Sequence, residues 1–170
     1  ALESPPATLG DPADWRFEWK WDGIRAQLIR RRGQTLVWSR GEELITDGFP
    51  EIAAIGDALP DGAVLDGEIL AWENDRPLPF ALLQRRINRK REEARLWAEV
   101  PVIFMAYDLI ERNGEDIRPL PLDQRRALLE SLAATLANQP AFRVSPRVTI
   151  ANWTDVDAAH RDARERGVEG

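Results

Sequence analysis

Between Ile24 and Leu28 apolar and polar residues alternate: Ile24, Ala26 and Leu28 share one face of a strand, Arg25 and Gln27 the other. Residues 15–21 and 24–32 read as strand-like runs on either side of Asp22-Gly23, and Gly33-Gln34 turns the chain into a third run over 35–40. Ile52, Ile55 and Leu59, bounded by Pro50 and Pro60, predict a short amphipathic helix over 50–59. A strand over 62–72, interrupted by Asp66-Gly67, leads through a polar turn into one long helix over 80–100 with a basic middle, ended by Pro101. Residues 102–110 are apolar enough for a buried strand, and Arg112-Asn113-Gly114 forms a turn. Leu122, Leu129, Leu132, Ala133 and Leu136 hold one stripe of a helix over 122–136. A strand over 142–150 and a polar helix over 155–166, closed by Gly167, complete the pattern.

Hairpin-linked strands with inserted helices predict an α+β fold, with antiparallel or mixed sheets flanked by helices. Residues 1–14 form a lead-in or linker without periodicity, and 15–170 form one domain. Val168-Glu169-Gly170 reads as the start of another strand, so the domain is expected to be incomplete at its C-terminus.

The chain has 170 residues, 44% hydrophobic and 31% charged, a globular composition. It contains no long apolar run and no signal pattern, which points to the cytoplasm. Cysteine is absent and His160 is the one histidine, so any metal must sit on carboxylates and a histidine-based triad is disfavoured. A net charge of −6 argues against a uniform field that grips nucleic acid. Two basic clusters, Arg30-Arg31-Arg32 and Arg85, Arg86, Arg89, Lys90 and Arg91, are either a local phosphate-tracking surface or solvated faces. Only two of the 23 basic residues are lysines, Lys20 and Lys90. Lysine can lose its proton to become a nucleophile where arginine cannot, so each of the two matters.

Lys20 lies in Glu18-Trp19-Lys20-Trp21-Asp22-Gly23-Ile24-Arg25. The flanking tryptophans could lower the local dielectric and favour the neutral amine. Asp22 could orient that amine or take its proton, and Arg25 could neutralise a phosphate. A plain hairpin with a guarding edge lysine fits the same residues.

Lys20-x-Asp22-Gly23-x-Arg25 resembles the signature of covalent nucleotidyl transferases, and further blocks follow in the order of ATP-dependent DNA ligases of bacterial type. These are Val37-Trp38-Ser39-Arg40 with Phe49-Pro50-Glu51, Val64 to Ile69 around Asp66-Gly67-Glu68, Phe80 with Leu83-Gln84 and Arg86, Tyr107-Asp108-Leu109 with Pro121-Leu122 and Arg125-Arg126, and Glu169-Gly170. The resemblance implies a nucleotidyltransferase (ATP-grasp-like) adenylation domain in which Lys20 attacks ATP to form lysyl-AMP. It implies that Glu18, Arg25, Arg40, Glu68 and Tyr107 bind ATP or AMP, that Asp22 supports them, and that Glu68 and Glu169 hold Mg²⁺ or Mn²⁺. Tyr107 would stack on adenine where the family more often has Phe, so its hydroxyl needs a partner. Without the resemblance, Asp66-Gly67 reads as a turn, Tyr107 as a core aromatic, and Arg125-Arg126 as an exposed helix face.

The resemblance further implies nicked duplex DNA as substrate, a monomer, a nucleoid-associated role in replication, repair or recombination, and no membrane partner. An OB domain in the same parent chain, and any N-terminal DNA-binding domain, would lie outside these residues. The lysine after the fourth motif and the fifth motif are missing, so this chain alone is expected to be impaired in ligation. RNA ligases and capping enzymes share Lys-x-Asp-Gly and stand as alternatives, and an acidic α+β interaction domain is the non-enzyme alternative.

Overall fold

The computed structural model describes residues 6–87 and 94–170; Arg89, Lys90 and Arg91 of the second basic cluster lie outside them. A strand pair, β2 (Ile24–Arg31) and β3 (Gln34–Ser39), opens the main sheet. Its two-residue turn puts both Arg32 and Gly33 at positive φ, 52° and 72°, the conformation that matches the twist of a tight hairpin. The long strands β4 (Ala63–Glu73) and β6 (Val102–Arg112) follow. The sheet order is β3-β2-β4-β6-β7, where β7 is Glu115–Asp116; β5 (Arg76–Pro77) pairs with β4, and β8 (Phe142–Val144) lies parallel beside β6. The other pairings are antiparallel. A separate two-stranded ladder joins β1 (Phe17–Glu18) to β9 (Arg147–Val148). The architecture is the mixed α+β arrangement the pattern predicts.

Three helices cover the inner face of the sheet: α1 (Pro50–Ala58), α2 (Phe80–Ile87) and α4 (Leu122–Thr135). Proline at the first position of α1 costs no hydrogen bond, and Ile52 and Ile55 bury completely against the sheet. Leu28, Val37, Leu65, Ile69, Phe104 and Leu109 meet Leu83, Leu129 and Leu136 in this core. Each large side chain contributes roughly 1.5–3 kcal/mol on burial, which offsets the entropy of ordering the chain. The outer face carries a smaller cluster of Leu70, Ile103 and Met105, against which Trp21 and Trp72 pack edge to face with centroids 6.0 Å apart.

Several expectations need correction. The run over 15–21 yields only the two residues of β1, which pair with β9 and not with β2, so Asp22-Gly23 is not a hairpin turn. Asp66-Gly67 does not interrupt its strand: β4 runs unbroken through both. Gly67 is required for packing, because a Cβ there would lie 2.6 Å from Phe104 Cζ and 2.7 Å from the Met105 carbonyl oxygen. The long helix over 80–100 is described as α2 and α3 (Ala94–Glu99), and its expected middle lies outside the described residues. The strand over 142–150 is split into β8 and β9 around Pro146, which cannot donate to a ladder.

The described part of the lead-in, residues 6–14, bonds to the domain at Leu9 and Gly10. Trp15 Nε1–H donates to the Leu9 carbonyl at 3.0 Å, and Trp153 Nε1–H donates to the Gly10 carbonyl at 2.9 Å. Trp153 opens α5 (Trp153–Arg166), whose start carries a capping box between Asn152 and Asp155 and whose end is the left-handed Gly167. Among the described residues, no helix is long and apolar enough to cross a membrane.

Candidate active site

Lys20 stands in the loop between β1 and β2, where backbone bonds tie it to the far end of the chain. Its N–H donates to the Gly170 carbonyl at 2.7 Å, and Glu169 N–H donates to the Lys20 carbonyl at 2.8 Å. The turn at Gly167 directs Glu169 and Gly170 to this pairing, and the Glu169 carboxylate forms an ion pair with the Lys20 amine. The Lys20 side chain is 75% exposed. The tryptophans therefore do not desolvate it, contrary to the expectation from their proximity. Trp21 packs on the outer cluster and donates from Nε1 to Ser145 Oγ at 3.0 Å, while Trp19 lies under the Arg166 guanidinium, 4.9 Å from its ring centroid. The carboxylate that holds the amine is Glu169, not Asp22.

The outer face of β2 and β4 supplies the next groups. Arg25 pairs across the ladder with Glu68, and its guanidinium grips Asp66 through two bonds of 2.7 and 3.4 Å. Strand alternation puts Asp66 and Glu68 on one face, opposite the buried Leu65, Gly67 and Ile69. Burial pushes the Glu68 carboxyl up to about 7; Asp66 and Asp22 reinforce the rise, and Arg25 and Lys20 oppose it. Tyr107 arrives by a break in register. Asp66 pairs with Asp108 and Gly67 with Ala106, which leaves Tyr107 as the extra residue of a β-bulge. The ring lies 5.9 Å from the Arg25 guanidinium, and burial, with the neighbouring Asp66 charge, holds its phenol well above the usual range. The hydroxyl thus stays protonated, with the Asp66 carboxylate as a charged neighbour. Tyr107 is half-buried at the cleft and is not a core aromatic.

Arg40 follows β3, its N–H bonded to the Arg25 carbonyl at 2.9 Å. Its side chain is exposed and has no ion pair among the described residues. On the opposite wall, Glu18 accepts from Arg126 Nη1 at 3.1 Å. Partial burial raises the Glu18 carboxyl, while Arg126 and Arg147 pull it down. Arg126 is itself buried, which corrects its reading as part of an exposed helix face, and Arg125 grips Asp108 with bonds of 2.8 and 2.9 Å.

All eight residues read from the sequence, Glu18, Lys20, Asp22, Arg25, Arg40, Glu68, Tyr107 and Glu169, line one open cleft of about 490 Å³. A second cavity of about 600 Å³ adjoins it, shares Gly23, Arg25, Arg40 and Glu68, and extends to Phe49, Phe80 and Arg86. Sequence reasoning missed Asp66, which organises Arg25 and Tyr107, and the burial of Arg126. An alternation count along 62–72 would have put Asp66 on the face of Glu68.

Among the described residues of the basic clusters, Arg30, Arg31, Arg85 and Arg86 are paired with carboxylates. Arg30 pairs with Asp57, Arg31 with Glu111 and Arg85 with Glu99. Arg86 is not a surface group: it is buried, bonded to both Glu51 oxygens and to the Gly48 and Val100 carbonyls, each at 2.9 Å. Among the described residues no three carboxylates or histidines are assembled to hold a metal. Glu68 and Glu169 nevertheless face the same cleft, a donor set suited to a cation that takes the rest of its shell from phosphates and water.

A mixed sheet with a lysine at its rim, and with carboxylates and arginines on its outer face, defines the nucleotidyltransferase class. The family model described as ATP dependent DNA ligase domain matches residues 6–170, and the chain belongs to this family. It is 39% identical to a probable DNA ligase of Opitutus terrae over 98% of its own length and 19% of that protein. It is 34% identical to a DNA ligase of Methanothrix thermoacetophila over 99% of its length and 30% of that protein. The chain thus spans less than a third of the length of these relatives. Among solved structures it resembles the ligase domain of M. tuberculosis LigD, with a TM-score of 0.71 and 28% identity over 99% of this chain and 50% of that one. It also resembles a mycobacterial DNA ligase D complexed with ATP and MES, with a TM-score of 0.67 and 29% identity over 92% of this chain and 46% of that one. These matches favour the DNA-ligase reading over RNA ligases, capping enzymes and a non-enzymatic domain.

Proposed function

We propose that this chain is the adenylation domain of a longer ATP-dependent DNA ligase, with Lys20 as its nucleophile. The observation that carries the reading is the exposed Lys20 amine at the mouth of a cleft that gathers Glu18, Arg25, Arg40, Glu68, Tyr107 and Glu169. In the first step the neutral Lys20 amine attacks the α-phosphorus of ATP. A P–N bond forms, the bond to the pyrophosphate oxygen breaks, and the amine gives up a proton. Glu169, paired with the ammonium, would take the first proton to give the neutral amine, and the second, lost as the P–N bond forms, leaves with pyrophosphate or to solvent. Tyr107 stacks on adenine, Glu18 faces the base edge, and Glu68 faces the ribose. Arg25 and Arg40 neutralise phosphate charge, and Asp22 supports the loop.

AMP then passes to the 5′-phosphate of a nick, and attack by the 3′-hydroxyl seals the strand with release of AMP. A divalent cation held by Glu68, Glu169 and the phosphates would supply charge neutralisation at phosphorus. The partner is nicked duplex DNA in the cytoplasm, at the bacterial nucleoid. Residues 6–14 dock the lead-in to the domain, and an OB domain elsewhere in a monomeric parent protein completes the machinery. The length of the relatives supports a longer parent.

Intact mass spectrometry of the full-length protein with ATP and Mg²⁺ tests the reading. The expected result is a gain of one AMP, absent in Lys20→Ala and Lys20→Arg and discharged by nicked, 5′-phosphorylated DNA. No adduct on protein known not to be adenylated beforehand would refute it.

A further inference from the structure

Two residues before Lys20, the chain is held by very little of the sheet. β1 has only two residues, lies outside the main sheet, and pairs with a strand of equal length. A ladder this short is marginal by itself. Where three segments meet at this point, α4 delivers Arg126. Its side chain is only 7% exposed, and its guanidinium reaches Glu130 Oε1 from Nε at 2.7 Å, Glu18 Oε1 from Nη1 at 3.1 Å and the Ser145 carbonyl from Nη2 at 2.6 Å. The same Ser145 bonds through its hydroxyl to the Trp21 indole and through its N–H to the Ala106 carbonyl at 2.8 Å. One cation therefore links the residue two places before Lys20, through Ser145, to the residue just after it and to the strand that carries Tyr107.

We propose that Arg126 is a positioning residue of the nucleotide cleft, which clamps the Glu18 carboxylate to the Ser145 segment and so fixes the edge that reads the base and the approach of Lys20. The proposal rests on the cleft being a nucleotide site. A planar fork with fixed donor directions satisfies three acceptors on three segments; an ammonium cannot reproduce that geometry. The burial that raises the Glu18 carboxyl, reinforced by Asp108, is opposed first by Arg126 and then by Arg147, so the clamp also favours the anionic, accepting form of Glu18. Glu130 touches only the helix side of the guanidinium and is 56% exposed, so its loss leaves the Glu18 contact standing.

The test is lysyl-AMP formation by the full-length protein as a function of ATP concentration and pH. The variants are Arg126→Gln, Arg126→Lys, Glu130→Gln, Glu18→Gln and the Glu18→Gln/Arg126→Gln pair. Arg126→Gln and Arg126→Lys are expected to raise the half-saturating ATP concentration roughly tenfold, as loss of a charge-assisted contact does, with the maximal rate within about threefold of wild type. The acid limb of the pH profile moves to higher pH in Arg126→Gln, which loses the charge beside Glu18, Glu130→Gln behaves as wild type, and the double variant is no worse than Glu18→Gln. Arg126→Lys keeps the buried charge and is the variant to read if Arg126→Gln does not fold. A folded Arg126→Lys with unchanged ATP dependence, or additive effects in the double variant, would overturn the proposal while leaving the nucleotide reading intact. Absence of the adduct in wild type overturns both.

Discussion

After Lys20 the chain enters β2, whose Ala26 and Leu28 are buried in the main core and whose backbone is paired on both sides, with β3 and with β4. Before Lys20 it leaves β1, which is held by a two-residue ladder, the edge-to-face contact of Phe17 with Trp153, the Arg126 fork and the returning Glu169-Gly170 segment. One flank is fixed by apolar burial, which is strong and indifferent to direction. The other is fixed by one ring contact and mostly by polar contacts, which are weaker overall but directional. A nucleophile that must meet phosphorus along a defined line needs both: a rigid base and an adjustable aim.

The largest expected effect breaks the apolar flank. Leu65 is fully buried under the β2–β4 ladder, and Leu65→Ala should lower stability by about 3 kcal/mol in urea denaturation. Next comes the outer face of the same strand. The fold raises the Glu68 carboxyl from 4.5 to about 7, so it favours the neutral acid. That contribution is complete below 4.5 and is lost as pH rises through about 7. Glu68→Gln should therefore be more stable than wild type above neutrality, by up to about 2 kcal/mol once solvent screening in the open cleft is allowed for, and the gap should close in acid. Equal stability of the two at high pH would contradict this account of the burial. The smallest effect sharpens the polar flank. Gly167 has φ of +72°, and a Cβ there would approach Pro77 Cγ to 3.2 Å. Gly167→Ala should cost about 1 kcal/mol in thermal unfolding, yet slow lysyl-AMP formation more than Leu65→Ala does, because this turn aims Glu169 at Lys20.

Side-chain period made the apolar flank legible. Ala26 and Leu28 announce the inner face of β2, and Ile52 and Ile55 the buried side of α1. The site residues could be named because their blocks follow one another in the order of a family. What joins them could not be read so directly. The partner of Phe17 and Glu18 is a pair of residues near Val148, far along the chain, and local pattern carries no information about such a pairing. Asp66-Gly67 has the composition of a turn but is held in a strand by tertiary packing against Phe104. Arg126 has the composition of a helix surface, and its burial depends on acceptors contributed by Glu18 and Ser145.

Tyr107 has a further meaning for how this domain could change over time. Its neighbours Ala106 and Asp108 face consecutive residues, Gly67 and Asp66, so the ladder closes as though Tyr107 were not in the chain. Upstream it is the even-numbered Phe104 and Ala106 that point into the main core; downstream it is the odd-numbered Leu109, and the surplus residue is what resets the count. The aromatic wall proposed for the purine is thus supernumerary to the architecture. Its identity can be exchanged among rings without renegotiating the sheet, and the scaffold and its ligand preference are free to drift at different rates.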